Sequence, residues 1–154
     1  LRKNISIYHI TKNNEIDLDR YKLFIKYANN RHSEGQMKNM SFEEFKSFIY
    51  KSPVETRILD FFDMKNKLIG TILLDVLKDG LSAVYSFYDP NLNKNSLGKL
   101  MILKAIMEVK KRKLDYLYLG FWIKESQKMN YKLNFNNIEL FKNGSWKKKE
   151  LVIV

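Results

Sequence analysis

The sequence contains no cysteine, only two histidines (His9 and His32), two prolines and six glycines. Without cysteine the chain forms no disulfide, no thiol nucleophile and no thiolate metal site. Two histidines make a zinc site a poor reading, because such sites draw on His and Cys ligands. No stretch approaches the roughly 18 to 20 continuous apolar residues of a membrane-spanning helix. The start, Leu1-Arg2-Lys3-Asn4, runs straight into a strand-like segment and lacks a signal-peptide pattern. Acidic residues are also few, at 17 against 28 basic ones.

What is present suits one folded domain: 154 residues, 45% of them apolar. The net charge of +11 points to a polyanionic partner, with nucleic acid first, an anionic membrane second and an acidic protein third. A coding bias toward Lys and Asn is the competing source of that charge. No internal repeat, Gly/Ser linker or low-complexity block interrupts the chain.

Periodicity predicts the elements. Residues 5–10 read as a strand, and Asp17 or Asp19 can cap a helix to about Asn30 with Tyr21, Phe24, Ile25 and Ala28 on one face. Ser41-Phe42-Glu43-Glu44 is a capping box that opens a second helix, with Phe45, Phe48 and Ile49 inward and Pro53 beyond its end. Strands over 57–63, 68–76 and 81–88 follow as an antiparallel meander, the last two joined at Asp79-Gly80. Residues 91–95 read as a polar loop. Ser96-Leu97-Gly98 opens a helix to about Lys113, with Leu100, Leu103, Ile106, Met107 and Leu114 expected inward. A strand over 115–122 and a mixed tail with a short strand near 151–154 complete the order. The layout is α/β, a mixed and largely antiparallel sheet flanked by helices. It ends in a β-loop-α-β unit whose helix N-terminus offers unpaired amides beside a strand end. GNAT-type acyltransferases have this arrangement.

Three segments concentrate chemistry-bearing residues: 75–98, with Asp75-Val76-Leu77-Lys78-Asp79-Gly80-Leu81-Ser82-Ala83-Val84-Tyr85, Phe87-Tyr88-Asp89-Pro90 and Ser96-Leu97-Gly98; 116–135, with Tyr118-Leu119-Gly120-Phe121-Trp122-Ile123 and Lys128-Met129-Asn130-Tyr131-Lys132; and Tyr27 to Arg31-His32. Taken alone, most of these residues also have plainer readings. Asp89 before Pro90 is turn chemistry, Arg31-His32 is a helix C-cap, Tyr118, Trp122 and Tyr131 are core aromatics, and the lysine runs are solvated charge.

In these motifs the sequence resembles the C-terminal domain of the aminoacyl-tRNA–protein transferases of the N-degron pathway, which include arginyltransferases and bacterial aspartate/glutamate leucyltransferases. The resemblance covers about residues 1–146, and the Gly-Phe-Trp-Ile wording is nearer the leucyl branch. Ser126 stands where eukaryotic arginyltransferases commonly have Cys, and 135–139 lacks the proline the family often places there. The family usually carries a Cys-rich region ahead of this domain. That region is absent here, so residues 1–154 are expected to be the C-terminal catalytic domain of a longer protein.

The resemblance implies transfer of Leu from leucyl-tRNA to the α-amine of proteins beginning with Asp or Glu, in the cytoplasm, with transfer of Arg as the alternative. It implies aminoacyl-tRNA as co-substrate and no cofactor or metal. Asp75, Tyr85 or Asp89 is expected to receive or relay the amine's proton. Arg31, His32, Lys128 and Lys132 are expected to bind the acidic acceptor. Ser96, Leu97 and Gly98 would offer amides, and Tyr118, Trp122 and Tyr131 would cover the aminoacyl-adenosine end. Lys110, Lys111, Arg112 and Lys113 would meet tRNA phosphates, as would the run 147–149. Two further readings are an acetyl-CoA-dependent acetyltransferase and a non-catalytic tRNA-binding module. The first is disfavoured because residues 93–98 lack the Arg-x-x-Gly-x-Gly/Ala pyrophosphate loop.

Overall fold

A computed structural model describes residues 5–10, 17–31, 36–95 and 97–148; for 5–10, 31, 36, 93–95 and 127–128 the description is of the backbone. The chain divides into two compact units, 1–120 and 121–154.

The first unit carries a five-stranded sheet in the order β1 (Ile5–Ile10), β2 (Thr56–Asp63), β3 (Leu68–Val76), β4 (Gly80–Tyr88) and β5 (Tyr116–Tyr118). The first four strands are antiparallel neighbours, and β5 runs parallel to β4. The expected meander and β-loop-α-β unit are therefore both present. Strand β3 is buried over its first seven residues, as a central strand covered on both faces must be.

Helices α1 (Asp17–Arg31) and α2 (Phe42–Tyr50) cover one face. Phe24, Phe45 and Phe87 meet there in tilted and edge-on ring contacts at 5.1 to 6.1 Å, within the range such pairs prefer. Asp17 and Asp19 stand in the first turn of α1 and not ahead of it, where they favour the positive end of the helix dipole. Asp17 is buried and bound to Arg20 Nη1 at 2.7 Å, while Arg20 Nη2 reaches Asp60 of β2 at 2.6 Å. The capping box of α2 forms as its sequence predicts: Glu44 N–H donates to Ser41 Oγ, and Ser41 N–H donates to Glu44 Oε2 at 2.7 Å.

Helix α3 (Leu97–Lys111) covers the other face. Its inward stripe is Leu97, Met101, Ile102, Ala105 and Val109, whereas Leu103 and Met107, expected inward, are exposed. Apolar residues occupy almost every phase of this helix, so spacing alone could not select the stripe; small Ala105 lies where α3 meets the sheet. Past its end Lys113 adopts φ 56°, a left-handed position usual for helix ends.

Residues 90–95 form a 3-10 turn where a plain loop was expected. The strand expected over 115–122 is only Tyr116–Tyr118. In the second unit, residues 127–134 form 3-10 turns. They are followed by a hairpin of β6 (Glu139–Lys142) and β7 (Ser145–Lys148) that the sequence reading did not resolve. The strand expected near 151–154 lies outside the described residues.

Candidate functional site

The first unit has a local irregularity where β4 meets β5. Between β3 and β4 the register runs Leu73↔Tyr85 and then Leu74↔Ala83, leaving Val84 as an extra residue. That is a β-bulge, which bends a strand and is enriched beside active sites. Pairing of β4 with β5 covers only Gly80↔Tyr116, Leu81↔Leu117 and Ser82↔Tyr118. The two strands then part, while β4 stays paired with β3 up to Tyr88. Gly80 permits their close start: a β-carbon there would lie 2.5 Å from the Tyr116 carbonyl oxygen. Gly120, at φ 71°, takes the chain away beyond β5.

Asp75 sits half-buried at the end of β3, opposite Ser82. Thr56 Oγ1 donates to its Oδ1 at 2.5 Å. Together they border a half-open cavity of about 150 Å³ lined also by Phe48, Ile49, Leu73 and Val84 and by Lys51, Ser52 and Pro53. Tyr85 follows the bulge, half-buried, its ring edge-on to Phe48 at 5.5 Å. Phe48 thus links Tyr85 to the cavity that holds Asp75.

Asp89 lies elsewhere. It is four residues beyond Tyr85, about 13 Å along an extended chain. It is buried, takes both oxygens to Lys26 Nζ at 2.7 and 2.8 Å, and accepts from the Asn91 N–H at 3.0 Å. Burial pushes its carboxyl up, but Lys26 and the Asn91 amide more than offset this and hold it below the ordinary carboxylate value. The structure thus brings Asp75 and Tyr85 to one region and sets Asp89 in a turn with its own cation.

Leu97 and Gly98 begin α3 beside the end of β4, where a β-carbon on Gly98 would stand 3.4 Å from the Tyr88 ring. The first-turn amides of a 15-residue helix have no intrahelical acceptor and carry the positive end of its dipole. Tyr88 in turn packs on Tyr27 of α1, centroids 5.1 Å apart. Ser96 and His32 lie outside the described residues. Arg31 ends α1, and Lys128 lies in the 3-10 segment of the second unit.

Tyr118 donates to Asp79 Oδ2 at 2.9 Å, a bond that raises its phenol pKa. Lys110, Lys111 and Lys113 are exposed, while Arg112 is half-buried with Nε 3.9 Å from the buried Glu108. In the second unit Lys132 Nζ donates to the Phe121 carbonyl at 2.7 Å, and partial burial lowers its pKa. Tyr131 and Trp122 are half-buried there, with Trp122 Nε1 lacking a hydrogen-bond partner among the described residues. No group of three metal-ligating side chains is found among the described residues, and no helix among them is long and apolar enough to cross a membrane.

Thr56, Lys26 and the Val84 bulge were not singled out from sequence, and Phe48 was read only as part of the inward face of α2. Their partners are set by register or tertiary contact, which carries no local signature.

Solved structures with this fold include the ribosomal-protein-S18-alanine N-acetyltransferase of Escherichia coli (TM-score 0.64, 15% identity, covering 88% of this chain and 80% of that one). Another is a GNAT-family acetyltransferase of Staphylococcus aureus (TM-score 0.63, 20% identity, covering 90% and 88%). The fold is GNAT-like. In sequence, the chain is 44% identical over 147 residues to the aspartate/glutamate leucyltransferase of Saccharophagus degradans, covering 95% of this chain and 62% of that protein. It is 43% identical over 130 residues to the protein of that name in Paramagnetospirillum magneticum, covering 84% and 53%. The chain thus spans about half the length of the curated relatives it matches. Residues 19–142 match the family described as arginine-tRNA-protein transferase, C terminus, and with that match over most of its length the chain belongs to this family.

Proposed function

We propose that this chain is the acyl-transfer domain of an aminoacyl-tRNA–protein transferase that moves Leu from leucyl-tRNA to the α-amine of proteins beginning with Asp or Glu. One observation carries the reading: in a chain of this family, β4 bulges at Val84, pairs with β5 only up to Ser82, and ends at Tyr88 against the first turn of α3. That arrangement offers a strand edge and helix amides to an acyl carbonyl.

The reaction is aminolysis of an ester. The acceptor nitrogen bonds to the carbonyl carbon, and the carbonyl electrons move onto oxygen, where amides at Leu97 and Gly98 would receive them. Collapse breaks the bond to the ribose oxygen, which leaves with a proton, and the amine gives up one proton. An α-amine has a pKa of about 7.7 to 8.0, so it must be deprotonated to attack. Asp89 directly follows Tyr88, which packs on Gly98, whereas Asp75 pairs with Ser82, six residues earlier on β4; Asp75 is the less engaged of the two carboxylates. Thr56 occupies one of its oxygens, whereas Lys26 occupies both of those of Asp89. Tyr85 would relay through the same region. The ester is already activated, so positioning supplies much of the acceleration, and no redox step or nucleotide enters the balance.

For the donor, the relatives named leucyltransferases favour leucine. For the acceptor, Arg31 and His32 in the first unit and Lys128 and Lys132 in the second are the cations assigned to the acidic side chain. Tyr118, Trp122 and Tyr131 are assigned to the terminal adenosine, and Lys110 to Lys113 to tRNA phosphates. The co-substrate is aminoacyl-tRNA, with no further cofactor in the scheme, and the setting is the cytoplasm.

The test supplies radiolabelled leucyl-tRNA with peptides beginning Asp, Glu, Ala or Lys. Label moving to the Asp and Glu peptides alone is the expected result. Equal labelling of all four would remove the acceptor assignment. Binding of tRNA with no transfer would favour a non-catalytic module.

A further inference from the structure

The half-open cavity in the first unit carries charge at two points. Asp75, half-buried at the end of β3, supplies one. Lys51 supplies the other, and it was not among the cations expected from sequence. It directly follows the last residue of α2 and is exposed.

A lysine at a helix end has an ordinary use. Its charge favours the negative end of the helix dipole, and its ammonium can bond the last carbonyls. Here only the backbone amide of Lys51 does so, donating to the Ser47 carbonyl at 2.9 Å. The Lys51 ammonium has no hydrogen-bond or ion-pair partner among the described residues, and Asp75 has Thr56 alone. The backbone that carries Lys51 is nonetheless held firmly. Tyr50, immediately before it, donates its hydroxyl to Asp17 Oδ1 at 2.5 Å and accepts from Arg20 Nη1 at 3.2 Å. Arg20 is buried and bonds Asp60 of β2 through Nε and Nη2 at 3.1 and 2.6 Å. The end of α2 is thereby tied to α1 and to the sheet, which lowers the cost of ordering Lys51 around a ligand.

Val84 joins this cavity to the proposed acyl site. It lines the cavity, and it lies beyond Ser82, the last residue of β4 paired with β5. An occupant of the cavity therefore stands against the stretch of β4 that β5 has left. An unshared carboxylate oxygen, an unshared ammonium and apolar walls match a residue whose amine and carboxylate are joined by carbon. An N-terminal Asp or Glu is such a residue. A leucyl side chain would use the walls but neither charge, and a tRNA phosphate would meet Lys51 but be repelled by Asp75.

We infer that Lys51 is a specificity residue for the acceptor: the N-terminal Asp or Glu enters this cavity with its amine at Asp75 and its side-chain carboxylate at Lys51. The inference rests on the transferase reading above, and it adds to the cations assigned there one that lines the same cavity as Asp75.

The test supplies the complete protein with leucyl-tRNA and two peptides that differ only in the first residue, Asp or its uncharged isostere Asn. The readout is the ratio of kcat/KM for the Asp peptide over the Asn peptide. Lys51→Met keeps most of the stem and removes the charge. The ratio should fall about 3- to 5-fold, as for loss of one partly exposed ion pair, through KM for the Asp peptide rather than kcat. Lys51→Arg should keep the parent ratio, and Lys51→Glu should lower it further by repulsion. A lysine that only closed α2 would, when replaced, slow both peptides alike and leave the ratio unchanged. That result, or an unchanged KM in Lys51→Met, would overturn the inference and leave the transferase reading intact. A parent protein that transfers leucine to neither peptide would overturn both.

Discussion

Thr56 donates to one oxygen of Asp75, whereas Lys26 engages both oxygens of Asp89. In the proposed scheme that difference leaves Asp75 the freer carboxylate for the amine's proton and Asp89 a partner within its turn. Asp75→Asn keeps the shape and an acceptor for Thr56 but removes the proposed proton acceptor. Leucyl transfer should then slow by about 100-fold, the low end for general base catalysis on an already activated ester, with tRNA affinity and the circular dichroism spectrum unchanged. A rate within threefold of the parent would remove Asp75 from the chemistry. Asp89→Asn acts on stability instead. Its carboxyl is held below the ordinary value, so its contribution is present above the unfolded pKa of about 3.9 and is lost as pH falls through the lower, folded value. The variant should be less stable by about 1 to 2 kcal/mol at pH 7, since Lys26 is partly exposed. Urea titrations at neutral and acid pH should show that gap closing on acidification. Asp89 before Pro90 was legible as turn chemistry from sequence, but its partner Lys26 was not, because 63 residues separate them.

Elements whose signals are local matched expectation. The capping box, the Asp79-Gly80 turn and the continuous apolar run of β3 each depend on neighbouring residues, and each formed where the sequence placed it. What depends on packing did not. The α3 stripe was misplaced at Leu103 and Met107, though not at Leu100 and Leu114, because apolar residues surround the helix, and the Val84 bulge has no composition of its own. The β6–β7 ribbon did carry a readable signal, Asn143-Gly144 between short strands. The parting of β4 from β5 also has a testable hinge. Gly80→Ala places a carbon 2.5 Å from the Tyr116 carbonyl oxygen and 3.0 Å from the Tyr118 ring, so β5 must shift. We expect a loss of about 1 to 3 kcal/mol in denaturant unfolding, together with weaker transfer. An unchanged midpoint would show that β5 yields freely and does not shape the site.

At the scale of the whole chain, the charge of +11 takes on a direction. Its partners in the proposed scheme are both anions: a tRNA, and a protein with an acidic N-terminus. The absence of cysteine excludes a thiol intermediate in this chain, and direct aminolysis needs none. Acidic-acceptor recognition was assigned from family resemblance, since Arg31 reads by itself as a helix cap and the side-chain arrangement around residue 32 lies outside the described residues. The fold and the β4–α3–β5 unit were legible because periodicity records which residues face a core. The cavity beside Asp75 was not, because Phe48, Leu73 and Val84 come from three elements that meet only in the folded chain. The most direct measurement is therefore donor choice: single-turnover transfer to an Asp-initiated peptide from leucyl-tRNA and from arginyl-tRNA, side by side. Rapid transfer of leucine with little or none of arginine is the expected result; preferential transfer of arginine, or of neither amino acid while tRNA still binds, would contradict the assignment.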